Sequence, residues 1–433
     1  MTGMTGRVLA VAGVTGALVV GSTSIRTHAE TTMIGVPQRA NANVSIAADG
    51  AFVAAVWSAS ASTGATDIFA GVSADGGRTF RSPVRVNDVS GDARVTGEQP
   101  PRVSLAHQPA GPPRMTVVWT RKGANGTAIA HAQSTDGGRT FAHAAIVPGS
   151  DAPGNRGWEA ISASPLGFVD ALWLDHRELA SSIQMSAMHH ETGGGKPDGV
   201  AMAQRSKLYF ASLDGSIAPH AITGGVCYCC KTALVSEGGA LYAAWRHVYP
   251  GNIRDIAFTL SRDGGRTFAP PVRVSEDEWV LEGCPDDGPT MAVDRDHRIR
   301  IVWPTLLQEQ GQDPNLALFY ATSSDGRAFT PRERVPTAGT PHHPQIAVDS
   351  GGGLVVVWDE LESGKRRVAM ARAQHAAGKA NFSRDVISGG EPAIYPVVAR
   401  AADGLIVAWT SGGATESMIR VMRIATGSAL MGR

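Results

Sequence analysis

The sequence carries no excess of charge of either sign, because its 433 residues include 39 Lys and Arg and 39 Asp and Glu. A chain with this balance produces no field that draws in nucleic acid or an anionic membrane surface, so we expect neither as a partner. Long hydrophobic runs are also scarce. Residues 8–20 form an uncharged apolar run of 13 residues, short of the roughly 20 that a membrane-spanning helix needs. We therefore expect no membrane span in the mature protein.

The first 29 residues have the pattern of a cleavable export signal. Arg7 supplies positive charge, the apolar run follows it, and Thr27-His28-Ala29 offers a cleavage site that ends in a small residue. The sequence thus predicts a signal peptide over residues 1–29 and a single mature domain over residues 30–433. The expected location is the periplasm or the outside of the cell.

Aromatic residues (6%) and charged residues (18%) are sparse, whereas 51 glycines and 25 prolines are present. This composition suits many short strands joined by tight turns, which predicts an all-β fold. Three segments, 73–80, 134–141 and 261–268, share the pattern Ser-x-Asp-Gly-Gly-Arg-Thr-Phe, and residues 323–329 form a fourth copy that lacks one glycine. The aspartates of the four copies are Asp75, Asp136, Asp263 and Asp325.

These four segments resemble the Asp-box, or BNR repeat, of the sialidase superfamily. The resemblance implies that each Asp caps the amides of its own turn, that the glycines adopt left-handed conformations and that the aromatic residue packs between sheets. It also implies a β-propeller in which each Asp-box joins the third and fourth strands of a blade. The motif indicates architecture and says little about chemistry.

A second repeat is independent of the first: an apolar strand, a glycine-containing turn and another apolar strand that ends in Trp. Seven tryptophans hold this position, Trp57, Trp119, Trp173, Trp245, Trp303, Trp358 and Trp409. Their spacing leaves room for four short strands per unit, which predicts a seven-bladed propeller with four antiparallel strands in each blade. Six blades are the alternative, since catalytic sialidases have six. The last unit has room for three strands, so residues 32–37 are expected to close the last blade.

Strand parity separates the two faces of the predicted ring. The Asp-box turns lie on one face, so residues just before each first strand and just after each repeat Trp lie on the opposite face, around the channel mouth. In propellers this mouth is the usual binding site, for a metal ion, a small molecule or a glycan. The residues singled out there are Cys227, Cys229, Cys230, Cys284, His342, His343, Tyr395, Glu159, Arg177 and Arg246.

The four cysteines and the tandem histidines fall on neighbouring blades, and together they predict a metal site. Its ligands would be Cys227, Cys229, Cys230, Cys284, His342 and His343. Thiolate and imidazole favour a soft or borderline ion, with copper preferred and zinc as the alternative, used for binding, delivery or a redox reaction.

The rival interpretation of the cysteines is disulfide bonding, because an even number of cysteines is typical of exported proteins. A bridge from the cluster to Cys284 is the easiest to build, since a bond between the adjacent Cys229 and Cys230 is strained and one between Cys227 and Cys229 is nearly as tight. On this interpretation the protein is a disulfide-stapled scaffold for another exported protein.

An insertion between Glu178 and Lys207 belongs to the same face as the channel mouth. It contains the candidate lid residues Met185, Met188, His189 and His190, together with Met202. A Gly-rich insertion of this kind acts as a lid over the channel or is a surface loop, and both interpretations stay open.

The resemblance to sialidases also implies an enzymatic alternative, an exo-glycosidase. Its candidate residues are Tyr395 as nucleophile with Glu159, and Arg246 and Arg177 for a substrate carboxylate. The Arg-Ile-Pro segment of catalytic sialidases is missing, and Arg177 is expected to form a salt bridge with Asp175 or Glu178. If the protein is an enzyme, it is therefore expected to be a sialidase-like hydrolase or a copper-dependent oxidoreductase.

Overall fold

The structure is a computed structural model that describes residue 1 and residues 31–164, 167–179, 199–308, 313–349, 351–376 and 379–425. Its described residues form seven four-stranded antiparallel sheets and one short helix, α1 (Gly199–Arg205). The predicted all-β class is thus confirmed. None of the described helices has the length and apolar character of a membrane-crossing helix.

Four sets of seven strands make up the sheets, from the inside of the ring outward. The first strands are β2 (Ala40–Asp49), β6 (Arg102–Ala106), β10 (Arg156–Ala163), β14 (Ala233–Glu237), β18 (Thr290–Val293), β22 (Thr340–Val348) and β26 (Ala393–Ala401). The second strands are β3 (Phe52–Ser60), β7 (Arg114–Gly123), β11 (Val169–Asp175), β15 (Ala240–Arg246), β19 (Ile299–Leu307), β23 (Leu354–Glu362) and β27 (Gly404–Ser411).

The outer half of each sheet completes the blade. The third strands are β4 (Thr66–Ser73), β8 (Gly126–Ser134), β12 (Lys207–Ser212), β16 (Ile256–Ser261), β20 (Asn315–Ser323), β24 (Lys365–Ala376) and β28 (Met418–Ala425). The outermost strands are β5 (Val84–Arg85), β9 (Ala145–Ile146), β13 (His220–Gly224), β17 (Val272–Arg273), β21 (Glu333–Val335), β25 (Lys379–Val386) and β1 (Thr31–Ile34).

The first strands close into a ring. Each contacts the first strand of the next sheet, from β2 through β6, β10, β14, β18, β22 and β26, and β26 contacts β2 again. The seventh sheet takes its outer strand from the start of the chain, since β1 pairs with β28 in the register Thr31↔Met422 to Ile34↔Ile419. The seven-bladed prediction and the closure by the N-terminal strand are confirmed, and the six-bladed alternative is wrong.

The seven repeat tryptophans all lie on second strands and form the core between neighbouring blades. Each is at most 1% exposed, so burial of these indoles contributes a large share of the hydrophobic stabilisation of the ring. The strands run past the tryptophan rather than ending at it; β3 continues from Trp57 to Ser60. The extra residues carry the chain onto the channel face.

The Asp-box turns have the capping pattern that their sequence predicts. Asp136 accepts hydrogen bonds from the amides of Arg139 (2.9 Å) and Thr140 (3.1 Å) and from the hydroxyls of Ser134 (2.8 Å) and Thr140 (2.6 Å). Gly137 and Gly138 both have a φ of 76°, a left-handed conformation that a side chain would strain. The three complete boxes follow third strands, at the end of each blade opposite to the channel mouth.

Four first strands contain a bulge near the channel mouth. The left-handed residues at these bulges are Asn43, Trp158, His343 and Tyr395, with φ between 52° and 57°, and the pairing register shifts at each of them. These residues therefore lie inside the first strands, whereas the sequence analysis placed His343 and Tyr395 just before them. A bulge allows a strand to continue while one residue leaves the ladder.

Candidate functional site

Three of the four cysteines form a buried cluster in the segment between β13 and β14. The Sγ atoms of Cys227 and Cys230 are 3.6 Å apart, those of Cys227 and Cys229 3.8 Å, and those of Cys229 and Cys230 4.0 Å. All three side chains are buried, and Met202 of α1 belongs to the same hydrophobic cluster. The arrangement brings three potential soft ligands within reach of one ion.

The fourth cysteine is joined to this cluster by a disulfide. Cys284, in the segment between β17 and β18, is bonded to Cys229, with 6.3 Å between the Cα atoms and a sequence separation of 55. Cys227 and Cys230 are free thiols. The cysteines therefore combine two features that the sequence analysis treated as rivals, a disulfide from the cluster to Cys284 and a pair of unbonded sulfurs.

A buried guanidinium group contacts the free thiol pair. Arg254 Nη1 donates to Cys227 Sγ at 3.2 Å, and its other hydrogen bonds go to the Leu281 carbonyl and the Asn252 side chain. Arg246 lies nearby and donates to main-chain carbonyl oxygens, including that of Asp287. Neither guanidinium forms an ion pair with a carboxylate among the described residues, and both are at most 1% exposed. Cys227 is thus the acidic group that can offset their charge.

The pKa values of the two free thiols move in opposite directions. Burial raises the pKa of Cys227, but the hydrogen bond with Cys230 and the charges of Arg254 and Arg246 outweigh burial and lower the pKa to about 6. For Cys230, burial and the neighbouring Cys227 raise the pKa well above its usual value. The two thiols therefore favour sharing one proton, and Cys227 is the more acidic of the pair.

The tandem histidines face carboxylates rather than sulfurs. His342 Nδ1 lies 3.1 Å from an Asp287 oxygen, and His343 Nδ1 lies 2.7 Å from an Asp359 oxygen. In the described part of the chain, the possible metal ligands form two groups, the three clustered cysteines and Asp287 with the two histidines. The single Cys and His cluster of the sequence analysis is thus divided in two, because two buried carboxylates, Asp287 and Asp359, hold the imidazoles.

His343 is the more enclosed of the two histidines. Burial lowers the pKa of His343, but the charge of Asp359 and the hydrogen bond to it outweigh burial, and the pKa is raised. Arg366 donates to the other oxygen of Asp359 at 2.5 Å. The imidazole is therefore held in one orientation with Nδ1 toward the carboxylate.

Tyr395 packs against His343 at the channel mouth. The two ring centroids are 4.3 Å apart, and the phenol ring occupies the space beside Gly97 where a Cβ atom would lie 2.0 Å from it. Burial, together with the charges of Asp359, Asp286 and Glu98, raises the pKa of Tyr395 to about 12. The phenol therefore stays protonated near neutral pH.

A buried ion pair spans the channel between blades. Glu98 accepts hydrogen bonds from the Lys231 ammonium (3.1 Å), the Lys231 amide (2.9 Å) and the Gly288 amide (2.7 Å). Glu98 and Lys231 line the same small cavity as His343 and Tyr395. The sequence analysis missed Glu98, although its position just before β6 matches the rule that identified the other rim residues.

The remaining enzymatic candidates have separate partners. The Glu159 carboxylate accepts from the Thr120 hydroxyl at 3.0 Å, and burial raises the pKa of Glu159. Arg177 makes two hydrogen bonds to the Asp175 carboxylate, as the salt-bridge interpretation expects. The contacts of Tyr395, with His343 and Gly97, differ from those of Glu159, so the structure shows them in different surroundings. The candidate lid residues Met185, Met188, His189 and His190 lie outside the described residues.

No protein-family model and no curated protein sequence matches the chain. Similar solved structures exist at low identity. An ulvan lyase of polysaccharide lyase family PL25 is 8% identical, with a TM-score of 0.55 and coverage of 91% of this chain and 96% of that one. The GH93 α-L-arabinofuranosidase of Fusarium graminearum is 12% identical (TM-score 0.51, coverage 92% and 97%), and the polysaccharide lyase Uly1 is 9% identical (TM-score 0.51, coverage 90% and 91%). These similarities show the propeller fold.

Proposed function

We propose that the protein binds a soft transition metal ion, copper(I) first, through the sulfur atoms of Cys227, Cys229 and Cys230. The observation that carries this proposal is the set of Sγ separations, 3.6, 3.8 and 4.0 Å. Metal–sulfur bonds of about 2.3 Å place sulfurs roughly 3.8 Å apart around a tetrahedral ion and roughly 4.0 Å apart around a trigonal one. The cluster thus has the dimensions of a thiolate site before any ion is bound.

Charge and chemistry favour copper(I) over zinc at this position. Three thiolates around a monovalent ion leave a net charge of about −2, and two buried guanidinium groups, Arg254 and Arg246, lie beside the cluster to offset it. Sulfur ligands in an enclosed, apolar setting select soft ions, and Met202 adds a thioether to the same hydrophobic cluster. Zinc is the second choice, since a closed structural zinc site needs a fourth ligand.

The test is a copper(I) titration, against a chromophoric chelator and without oxygen, of the purified protein after a dithiol has reduced the Cys229–Cys284 bond and has been removed. Replacing both Cys227 and Cys230 with Ser is expected to abolish competitive binding, because the two unbonded thiols are lost. The matched control replaces His342 and His343 with Gln and is expected to retain binding, since the imidazoles face carboxylates. Equal copper binding by the wild type and the double Ser variant would contradict the proposal and favour the scaffold interpretation.

We further propose acid–base chemistry on a carbohydrate at the channel mouth as a second candidate function. It rests on the placement of His343 between Asp359 and the Tyr395 phenol, beside a cavity that Lys231 and Glu98 also line. The carboxylates there are engaged: Glu98 by Lys231, Asp287 by His342 and Asp359 by His343. A hydrolase with two free carboxylates is therefore less well supported than proton transfer by the imidazole and the phenol.

Solved structures with the same fold include two polysaccharide lyases and an α-L-arabinofuranosidase, which supports testing glycans without identifying one. A screen with uronate-containing polysaccharides, read by the ultraviolet absorbance of an unsaturated product, tests proton abstraction beside a carboxylate. A fluorogenic sialoside tests the exo-glycosidase alternative. The Tyr395→Phe variant is expected to lose any activity found. The Glu159→Gln variant is expected to lose it only if Tyr395 acts with Glu159, and to keep it if Tyr395 acts with His343.

We also propose that the chain is a divergent member of the sialidase superfamily, on the basis of its four Asp-box turns, and that it is exported by its first 29 residues. N-terminal sequencing of the protein recovered from outside the cytoplasm tests the export proposal. A mature terminus near residue 30 is expected, and recovery of full-length protein from the cytoplasm alone would contradict it.

A further inference from the structure

We propose that the Cys229–Cys284 disulfide is a redox lock on the metal site, so that reduction of this bond opens the site and oxidation closes it; the inference rests on the proposed metal function. The observation behind this proposal is that the Cys229 sulfur belongs both to the disulfide and to the cluster of three cysteines. Cys229 is bonded to Cys284, and its Sγ also lies 3.8 Å from Cys227 and 4.0 Å from Cys230. A sulfur in a disulfide has no negative charge to donate, so the bond and a three-thiolate site exclude each other.

The two cysteines of the disulfide differ in exposure, and this difference determines which sulfur an external reductant attacks. Cys229 is 6% exposed, whereas Cys284 is a partly exposed residue of the segment between β17 and β18. A thiolate of an external dithiol can therefore reach Cys284. Attack there breaks the protein disulfide, forms a mixed disulfide with Cys284 and releases Cys229 as a thiolate inside the cluster.

The second thiol of the same dithiol then completes the reaction. It displaces Cys284 from the mixed disulfide, and the reagent leaves as its own cyclic disulfide, so two electrons and two protons pass from the dithiol to the protein. Copper(I) then replaces the protons of the clustered thiols. Oxidation by a disulfide reagent reverses the exchange, expels the ion and reforms the Cys229–Cys284 bond.

The Arg254 guanidinium contacts both the clustered cysteines and the segment that carries Cys284. Arg254 donates to Cys227 Sγ at 3.2 Å and, through Nε, to the Leu281 carbonyl at 2.9 Å in the segment that carries Cys284. Asn252 also donates to the Leu281 carbonyl and to Glu282. These bonds do not involve the disulfide, so the segment stays attached after reduction and Cys284 remains close enough to reform the bond.

The experiment uses the full chain and copper(I) in competition with a chromophoric chelator, without oxygen. One sample is treated with a dithiol that is then removed, and the other is kept oxidised; free thiols are counted in both. The reduced wild type is expected to bind copper(I) at least tenfold more tightly than the oxidised wild type. In Cys284→Ser no lock can form, so tight binding is expected without reduction. In Cys229→Ser weak binding is expected under both conditions.

The possible outcomes distinguish a failure of the proposed redox lock from a failure of the proposed metal site. Equal, tight binding by oxidised and reduced wild type would overturn the lock and leave the metal proposal standing. Weak binding by Cys284→Ser and by reduced wild type, with every thiol counted as free, would overturn the metal proposal itself. If Cys284→Ser fails to fold, as judged by circular dichroism and melting, the comparison of oxidised with reduced wild type decides the question alone.

Discussion

Replacing Lys231 with Met is the most direct test of the channel architecture. The Lys231 ammonium and the Glu98 carboxylate form a buried pair, 3% and 0% exposed, that links the second blade to the fourth. Without the ammonium, Glu98 keeps two amide donors, Lys231 N and Gly288 N. It loses the one positive charge it contacts directly, so a buried carboxylate is left with neutral partners.

Removing one partner of a buried pair costs about 3–5 kcal/mol, because the other charge stays desolvated. Lys231→Met is therefore expected to lower the free energy of unfolding by about 4 kcal/mol. For a domain of about 400 residues the entropy of unfolding is about 0.8 kcal/mol/K, so the melting temperature falls by about 5 °C. Adding Glu98→Gln to this variant removes the stranded charge and is expected to recover at least half of the loss.

Differential scanning calorimetry at pH 7 measures the wild type, the two single variants and the double variant, which gives the coupling energy of the pair. A coupling energy of 2 kcal/mol or more is expected. A loss below about 1 kcal/mol for Lys231→Met would refute the reasoning, because it is the value of a pair that water screens. Circular dichroism of each variant at about 20 °C serves as the folding control.

Three further predictions concern other parts of the ring. Cys284→Ser opens a loop of 55 residues and is expected to cost about 4 kcal/mol, seen as a melting temperature about 5 °C lower that no longer responds to dithiol; an unchanged response would contradict it. Asp136→Asn is expected to lower the melting temperature by roughly 1 °C at pH 7. Because the hydrogen bonds from Thr140 hold the pKa of Asp136 below its usual range, this difference should shrink as the pH falls below about 4, and a constant difference would be inconsistent. The pKa of His343 is raised on folding, so the stability gained over His343→Gln should be complete below about pH 6.5 and decline as the pH rises through the folded pKa; a gain that grows with pH would contradict this.

The repeats made the architecture predictable. The tryptophans and the Asp-boxes each recur about once per blade. Because the two repeats are independent of each other, few folds are consistent with both. Closure by the N-terminal strand followed from simple counting, since the last unit had three strands where the others had four. Local sequence patterns determine these features, because six of the seven blades are built from consecutive residues and the seventh lacks one strand that the start of the chain supplies.

The partners of the site residues were less predictable. Strand parity placed the cysteines and histidines on one face, but whether two side chains on neighbouring blades touch depends on distances of a few ångströms. Glu98 illustrates the difficulty: its ammonium partner, Lys231, is 133 residues away in sequence. The sequence analysis did not pair the tandem histidines with Asp287 and Asp359, because these contacts depend on bulges in the first strands that the repeat pattern does not reveal.

The bulges in the first strands form contacts between neighbouring blades at the channel mouth, and two of these contacts use the aspartates that hold the histidines. The amide of the left-handed residue in one blade donates to a side chain of the preceding blade: His343 to Asp287, Tyr395 to Asp359 and Asn43 to Thr410. The same contact joins three pairs of blades, yet only Asp287 and Asp359 also hold an imidazole. Replacing either aspartate therefore removes a link between blades together with the orientation of a histidine. Substitutions of the histidines themselves leave these amide bonds in place, so they test the imidazoles without removing the links between blades.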